Sequence, residues 1–331
     1  MTDWSPPPPN LPDARLPDNL PFDPSAGLYT SGPRPLDGNR AALLLLVTQN
    51  VVTGVLVSLA KLPLGLSLLL SFVATALLAF LLLRPALGRL FQDVRWKTPP
   101  AVWTALGALV LGVIASRGIL VFVQSVYPQS LGKIEQFQTT GWDRWALLLA
   151  GGLLIPFAEE VAFRGLLTRG YERARGPLFA ALASSLLFGL AHGVPAQIAA
   201  IFPIAWVLAR SVQHSGSFWT GVVVHALNNG LSLLLAIALS GSKLMDQAQK
   251  QLADLKALPL QLGLAGLLVA AAAMFVATLW LKPRSDLPAP VGGPVVSGTL
   301  VVLLVLIVVV IASPFLPLAE WVAALRSMQL R

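Results

Sequence analysis

Two adjacent carboxylates stand in a stretch of sequence that is otherwise apolar. The segment IPFAEEVAFRGLLTRG contains Glu159 and Glu160, and Arg164 follows them. Of the fifteen acidic residues, we place only these two within an apolar segment, and two of the three histidines, His192 and His225, also fall in apolar segments nearby. Ionisable side chains inside a membrane segment are costly and indicate a function by default. We therefore predict a polar site inside the bilayer.

Helical spacing sorts these residues onto faces. Glu160 and Arg164 are four residues apart, which places them on one helix face and predicts a salt bridge. Glu159 is rotated by about 100° from Glu160 and cannot share that face. We interpret Glu160 as neutralised and structural, and Glu159 as the carboxylate that points into a cavity. The sequence FGLAH likewise places Phe188 and His192 four residues apart.

A histidine and an amide form a second pair in the sequence HALNN. His225 and Asn229 are four residues apart and share a face, whereas Asn228 turns away from it. A carboxylate beside a neutral imidazole can activate a water, and a second imidazole with a side-chain amide can donate hydrogen bonds to a developing oxyanion. These are the parts that peptide hydrolysis without a covalent intermediate requires.

Other chemistries and structural roles compete with this interpretation. Glu159, His192 and His225 could supply a zinc site with an open fourth position, although the H-E-x-x-H signature is absent. A serine triad is disfavoured because no G-x-S-x-G occurs, and the lack of cysteine excludes thiolate sites. A glutamate pair can also reach lipid headgroups, and an asparagine in a span often joins helices. The residues alone leave the zinc alternative open.

The elements that must position this site are membrane helices. The chain has 331 residues, of which 56% are hydrophobic and 11% charged, whereas soluble domains carry about 25% charged residues. Spanning a bilayer takes about 20 apolar residues. We therefore predict an all-α polytopic transmembrane bundle of eight to nine segments, the fifth and sixth being short enough to be tilted, re-entrant or half-spanning. The segments are 41–60, 64–83, 101–126, 145–168, 177–193, 196–212, 217–240, 260–281 and 298–318.

This pattern divides the chain into four parts. Residues 1–40 contain ten prolines, including SPPPPN, and we expect a disordered cytoplasmic tail because this composition cannot bury a core. N-terminal transmembrane segments follow at 41–143. The catalytic core is predicted at 144–240, and C-terminal transmembrane segments at 241–331.

The formal charge of +8 fits a membrane surface better than a nucleic acid. Basic loops that face an anionic leaflet fix topology, so we expect the lipid bilayer as a partner and no nucleic acid. Lys and Arg in the loops at 84–97 and 169–175 favour a cytoplasmic N-terminus. Abundant Ala, Leu and Arg without cysteine suggests a bacterial inner membrane.

The three motifs together resemble those of a known family. EEVAFR, FGLAH and HALNN are similar to the E-E-x-x-x-R, F-x-x-x-H and H-x-x-x-N motifs of the CPBP family. This family comprises type II CAAX prenyl endopeptidases and bacteriocin-processing or immunity relatives, and its proteases are described as glutamate intramembrane proteases. The resemblance implies that Glu159 and His192 activate the water, and that His225 and Asn229 form the oxyanion site.

The resemblance thus implies an intramembrane endopeptidase that cleaves a membrane-associated or lipid-anchored peptide or protein. Glu160, Arg164 and Phe188 are then supporting residues, and no cofactor is expected unless zinc is bound. The alternative is a non-catalytic binding or immunity protein, or a small transporter, that uses the same polar cavity. A transporter would more often show inverted repeats, which we do not detect, and a pseudoenzyme is expected to lose a motif residue, whereas none is lost.

Overall fold

The chain folds as a bundle of helices. The computed structural model describes residues 32–127, 141–254, 258–284, 290 and 292–312, and no strand occurs among them. We number the helices along the chain. They are α1 (Pro35–Ser58), α2 (Leu64–Leu82), α3 (Arg84–Gln92), α4 (Val94–Lys97), α5 (Val102–Val126), α6 (Asp143–Arg175), α7 (Pro177–Ala191), α8 (Pro195–Ser215), α9 (Phe218–Leu239), α10 (Lys243–Asp254), α11 (Leu260–Trp280) and α12 (Gly298–Ala312).

The predicted polytopic all-α bundle is confirmed. Seven helices in the described ranges are long and apolar enough to cross a membrane, and α7 and α12 are shorter apolar helices. Many large apolar side chains of the bundle are exposed, for example Leu77 on α2, Leu268 on α11 and Val308 on α12. Such a surface fits lipid rather than water, so the chain is an integral membrane protein.

Two predictions differ from the structure. Helix α1 begins at Pro35, so residues 35–40 belong to the first helix and not to the tail. Proline at the first helical position explains this start, because its missing N–H needs no partner there. The sixth segment is a full 21-residue helix, α8, and only α7, with 15 residues, is too short to span. The expectations for residues 1–31 and 313–318 lie outside the described residues.

The membrane helices pack in two groups around α6 and α5. Helix α1 packs against α2, α6 and α12, while α5 packs against α8, α9 and α11. Asp143, at the start of α6, accepts hydrogen bonds from the backbone N–H groups of Gly65 (3.2 Å) and Leu66 (2.9 Å) at the start of α2. This cap fixes where α6 enters the bundle beside α2, since helix N-termini leave donors unsatisfied.

A network of ion pairs joins α4 and Asp93, which precedes it, to the other end of α6. Arg95 contacts Glu172 at 2.9 Å, and Arg169 contacts both Asp93 at 2.9 Å and Glu172 at 3.1 Å. Burial lowers the pKa of the Arg95 guanidinium, and the charge of Glu172 opposes that shift. The network therefore joins the two basic segments that the sequence places on the same side of the membrane.

Candidate active site

Helix α6 departs from regular α-helical geometry on both sides of the two glutamates. The turns Ala150–Leu154 and Val161–Thr168 are π-helical, and Pro156 lies between them. Proline cannot donate a backbone hydrogen bond within a helix, and isolated π-helical turns are frequent at functional sites. The irregular backbone sets the direction in which Glu159 and Glu160 project.

A crossing of two glycines brings α9 close to this part of α6. A Cβ added at Gly152 would lie 3.1 Å from the Cα of Gly230, closer than most side chains tolerate. Small residues at a helix crossing in a membrane allow the backbones to approach. On the same helix as Gly230, His225 contacts both glutamates of α6.

Glu160 is the buried centre of the site. Its carboxylate is fully buried, and its Oε1 lies 3.1 Å from Nη1 of Arg164 and 2.8 Å from Nδ1 of His225. Arg164 also donates from Nη2 to the carbonyl of Ala205 on α8 at 3.3 Å. The geometry agrees with the predicted Glu160–Arg164 pair and adds a partner, His225, that spacing along one helix did not reveal.

His225 lies between the two glutamates. Because a carboxylate accepts hydrogen bonds, Nδ1 of His225 donates to Glu160. The other ring nitrogen, Nε2, lies 3.5 Å from Oε2 of Glu159, whose side chain is 14% exposed. The paired glutamates therefore have different environments, as the helical spacing predicts: Glu160 is buried in the protein, and Glu159 faces a cavity.

Phe188 packs against both histidines. Its ring centroid lies 4.9 Å from that of His192 and 5.6 Å from that of His225, both edge to face. The guanidinium of Arg164 lies 4.4 Å from the same centroid. Phe188 thus holds three polar side chains of the site at fixed angles, which is the supporting position expected for it.

His192 caps the end of α7. Its Nδ1 lies 2.8 Å from the carbonyl oxygen of Phe188, and a carbonyl can only accept, so Nδ1 carries a hydrogen. The neutral ring therefore has its acceptor lone pair on Nε2. This exposed histidine lines the same cavity as Glu159.

A polar cavity of about 450 Å³ opens beside the glutamate. Glu159, Phe188 and His192 line it together with Gln49 and Thr53 of α1. Its volume is within the usual range for ligand sites, about 300–1,000 Å³. The sequence analysis missed the residues of α1, although two polar residues four apart within an apolar span, Gln49 and Thr53, were a signal that could have found them.

Asn229 and Asn228 contact each other. Nδ2 of Asn228 donates to Oδ1 of Asn229 at 3.0 Å. The interpretation of Asn228 as a residue turned away from the site is therefore too simple, because it orients the amide of Asn229. With Oδ1 engaged, the amide N–H groups of Asn229 remain as the donors.

The donor set does not form a metal site in this geometry. Among the described residues, no group of three or more His, Cys, Asp or Glu side chains is arranged to hold a metal ion. One ring nitrogen of His225 is bonded to Glu160, and one of His192 to the Phe188 carbonyl. Each histidine keeps Nε2 as its free ring nitrogen, and ligating histidines in metal sites also donate the other N–H to a carboxylate or a backbone carbonyl.

The fold and the site together define a polytopic integral membrane protein with a polar centre of two carboxylates and two histidines. A family model described as type II CAAX prenyl endopeptidase Rce1-like matches residues 141–231, so the chain contains an Rce1-like domain. The match covers α6 to α9 and includes every residue of the three motifs, which confirms the resemblance. Neither the search of curated proteins nor the search of solved structures gave a match. The domain belongs to a protease family, which supports endopeptidase activity.

Proposed function

We propose that this chain is an intramembrane endopeptidase in which Glu159 activates the attacking water. The observation that carries the proposal is that the two glutamates have different surroundings. Glu160 is neutralised by Arg164 and bonded to His225, while Glu159 borders the cavity within 3.5 Å of the same histidine. A general base must reach the substrate, and of the two glutamates Glu159 is the one that lines the cavity.

The charges of the site favour one proton shared by Glu159 and His225. Glu160 and Arg164 compensate each other as a buried ion pair. The charge of Glu159 then has His225 as its nearest compensating group, at 3.5 Å. The oxyanion role needs a donor at Nε2 while Nδ1 donates to Glu160, so the proposed reactive state has a proton on both ring nitrogens of His225 beside the Glu159 carboxylate. In this state both ring nitrogens of His225 are donors.

The reaction uses these groups in order. Glu159 takes a proton from a water that also donates to Nε2 of His192, and the water oxygen attacks the scissile carbonyl carbon. The carbonyl oxygen becomes an oxyanion, which accepts from Nε2–H of His225 and from the amide of Asn229. Glu159 then passes its proton to the leaving nitrogen, and the C–N bond breaks as the oxyanion collapses to a carboxylic acid. The acid gives its remaining proton to the amine, so a carboxylate and an ammonium leave.

The family description directs the substrate proposal to a lipid-anchored chain end. A CAAX sequence is a C-terminal Cys-aliphatic-aliphatic-any motif whose cysteine is prenylated. An apolar cavity of about 250 Å³, lined by residues of α1, α2, α3, α4 and α6, lies beside the polar one, and Leu45 borders both. We place the lipid anchor of the substrate in it. For the cell we propose a bacterial inner membrane with a cytoplasmic N-terminus.

The test is a cleavage assay on the full chain in lipid nanodiscs. The probe is a fluorogenic peptide that ends in a farnesylated CAAX sequence, with the unprenylated peptide as its control. We expect cleavage after the cysteine, seen by product mass, and loss of cleavage in His192→Gln, whose exposed position leaves folding intact. Absence of cleavage, or equal cleavage by His192→Gln, would contradict the proposal.

Metal independence is a separate part of the proposal. Because the reaction uses Glu159 and His192 without a metal ligand set, chelators should leave the rate unchanged, and metal analysis should find well below one zinc per chain. Stoichiometric zinc, with activity lost on its removal and restored on its return, would favour the metalloprotease mechanism.

A further inference from the structure

Two side chains of α1 that line the cavity each hold a buried polar atom without a partner. Nε2 of Gln49 and Oγ1 of Thr53 are both buried, and neither has a hydrogen-bond partner in the described structure. Both side chains line the same cavity as Glu159 and His192. Buried polar groups in proteins are almost always hydrogen-bonded, so two unpaired donors beside one cavity require an explanation.

The other polar residues of this part of α1 are satisfied within the helix bundle. Thr48 contacts the carbonyl of Leu44 at 2.7 Å and the hydroxyl of Thr75 on α2 at 2.8 Å. Asn50 donates to the carbonyl of Leu46 at 2.8 Å. Unpaired groups are therefore not a property of polar residues on α1 in general, since Asn50, which lines the same cavity, is hydrogen-bonded.

The spacing of the two donors matches an extended peptide. Gln49 and Thr53 are four residues apart, which is about 6 Å along a helix at 1.5 Å per residue. In an extended chain, carbonyls of alternate residues point to the same edge and lie about 6.6–6.8 Å apart. A helical substrate segment offers no such edge, because its carbonyls are bonded internally.

We propose that Gln49 and Thr53 bind the backbone of an extended substrate segment by donating to two of its carbonyls on one edge. This inference rests on the proposed function and extends it to residues outside the Rce1-like domain. Binding of this kind positions the scissile carbonyl beside Glu159. The proposed contacts are with the substrate backbone and not with its side chains. They therefore require a substrate that is unwound at the cleavage site.

The first test removes each hydrogen-bond donor by a substitution that nearly keeps the shape of the side chain. Gln49→Leu and Thr53→Val should each raise KM about two- to tenfold, the value of one net hydrogen bond, with kcat nearly unchanged. Thr48→Val is the matched control, since it makes the same chemical change on the face towards α2, and its KM should stay at the wild-type value. Without peptide, the melting temperature of Gln49→Leu and Thr53→Val should be unchanged or higher, because an unpaired donor has been removed. A lower melting temperature with unchanged KM would show a purely structural role and overturn the inference.

The second test identifies the carbonyls. The probes are a series of farnesylated CAAX peptides. In each peptide a backbone ester replaces one amide, at a different position, and the ester weakens the carbonyl as a hydrogen-bond acceptor. Their equilibrium binding is measured in the Glu159→Gln background, so that it does not depend on cleavage. In the Glu159→Gln protein, an ester at one position should weaken peptide binding. The same ester should not weaken binding when Gln49→Leu is also present. An ester two residues away should lose its effect on binding when Thr53→Val is present.

The two proposals fail in different ways. Ester effects that are the same with and without the α1 substitutions would overturn the backbone contact even if the wild-type chain cleaves the peptide. Coupled ester effects in a chain that cleaves nothing would support the contact and contradict the endopeptidase proposal.

Discussion

Glu159 and Glu160 are neighbours in sequence that the helix separates into different environments. Glu160 has no exposed surface and contacts a cation and an imidazole, whereas Glu159 borders a cavity. Helical spacing predicted this division, because Arg164 lies one turn from Glu160. The contact with His225 was not predictable, since those residues are 65 positions apart and only the packing of α9 on α6 joins them.

Arg164 is predicted to be essential for stability. Its side chain is 1% exposed, and Glu160 is its carboxylate partner at 3.1 Å. Removing one partner of a buried ion pair leaves an uncompensated charge and costs about 3–5 kcal/mol. Arg164→Ala should therefore melt in detergent well below the wild type. Glu159→Gln should melt near the wild type, because His225 can release its proton when the Glu159 charge is absent and no charge is then left unpaired. Equal melting temperatures for the two variants would refute the structural role of the pair.

Asn229 is predicted to act on turnover. A donor to the oxyanion acts mainly in the transition state, so Asn229→Ala should lower kcat by about 10²–10³ with little change in KM. Asn228→Ala should cause a smaller loss, because it removes only the bond that orients the Asn229 amide. Ser232→Ala is the neutral control, since the Ser232 hydroxyl donates to the carbonyl of Asn228 on the same helix. If steady-state kinetics give Asn229→Ala the wild-type kcat, Asn229 only packs between helices and has no catalytic role.

At the scale of elements, the site depends on how closely α9 approaches α6. Gly221 lies one turn before His225, and a Cβ added there would lie 2.7 Å from Oε2 of Glu160 and 2.7 Å from Cγ2 of Val212. A glycine in an apolar helix gives no chemical signal in a sequence. Its role became apparent only when the two helices were placed together.

Gly221→Ala is therefore predicted to displace the Glu160 carboxylate from His225. Overpacking of this kind costs typically about 1–3 kcal/mol, and cleavage should fall with it because His225 loses its fixed position. Gly88→Ala on α3 is the control: its Cβ would meet nothing within 4 Å, so it should be neutral or stabilising by about 0.5–1 kcal/mol. Thermal melting and cleavage assays of both variants check this. If the two variants have similar melting temperatures and cleavage rates, the α6–α9 contact can relax to accommodate the added methyl group.

For the whole molecule, length and hydropathy predicted most of the architecture. Apolar runs of membrane length identified the helices because every backbone polar group must be satisfied within a span. What the sequence did not reveal depends on distant contacts or irregular backbone. The π-helical turns of α6 have no local signature, and the contribution of α1 to the cavity required the packing of α1 on α6.

The central claim is that Glu159 is the general base, and single-turnover kinetics of Glu159→Gln test it most directly. The substitution keeps the shape of the side chain and removes its basicity. With the farnesylated CAAX peptide bound to saturation, the cleavage rate should fall by about 10²–10⁴, the usual contribution of general acid–base catalysis, while the Kd for the peptide and the melting temperature stay near their wild-type values. A variant that binds the peptide normally and cleaves it at close to the wild-type rate would contradict the account.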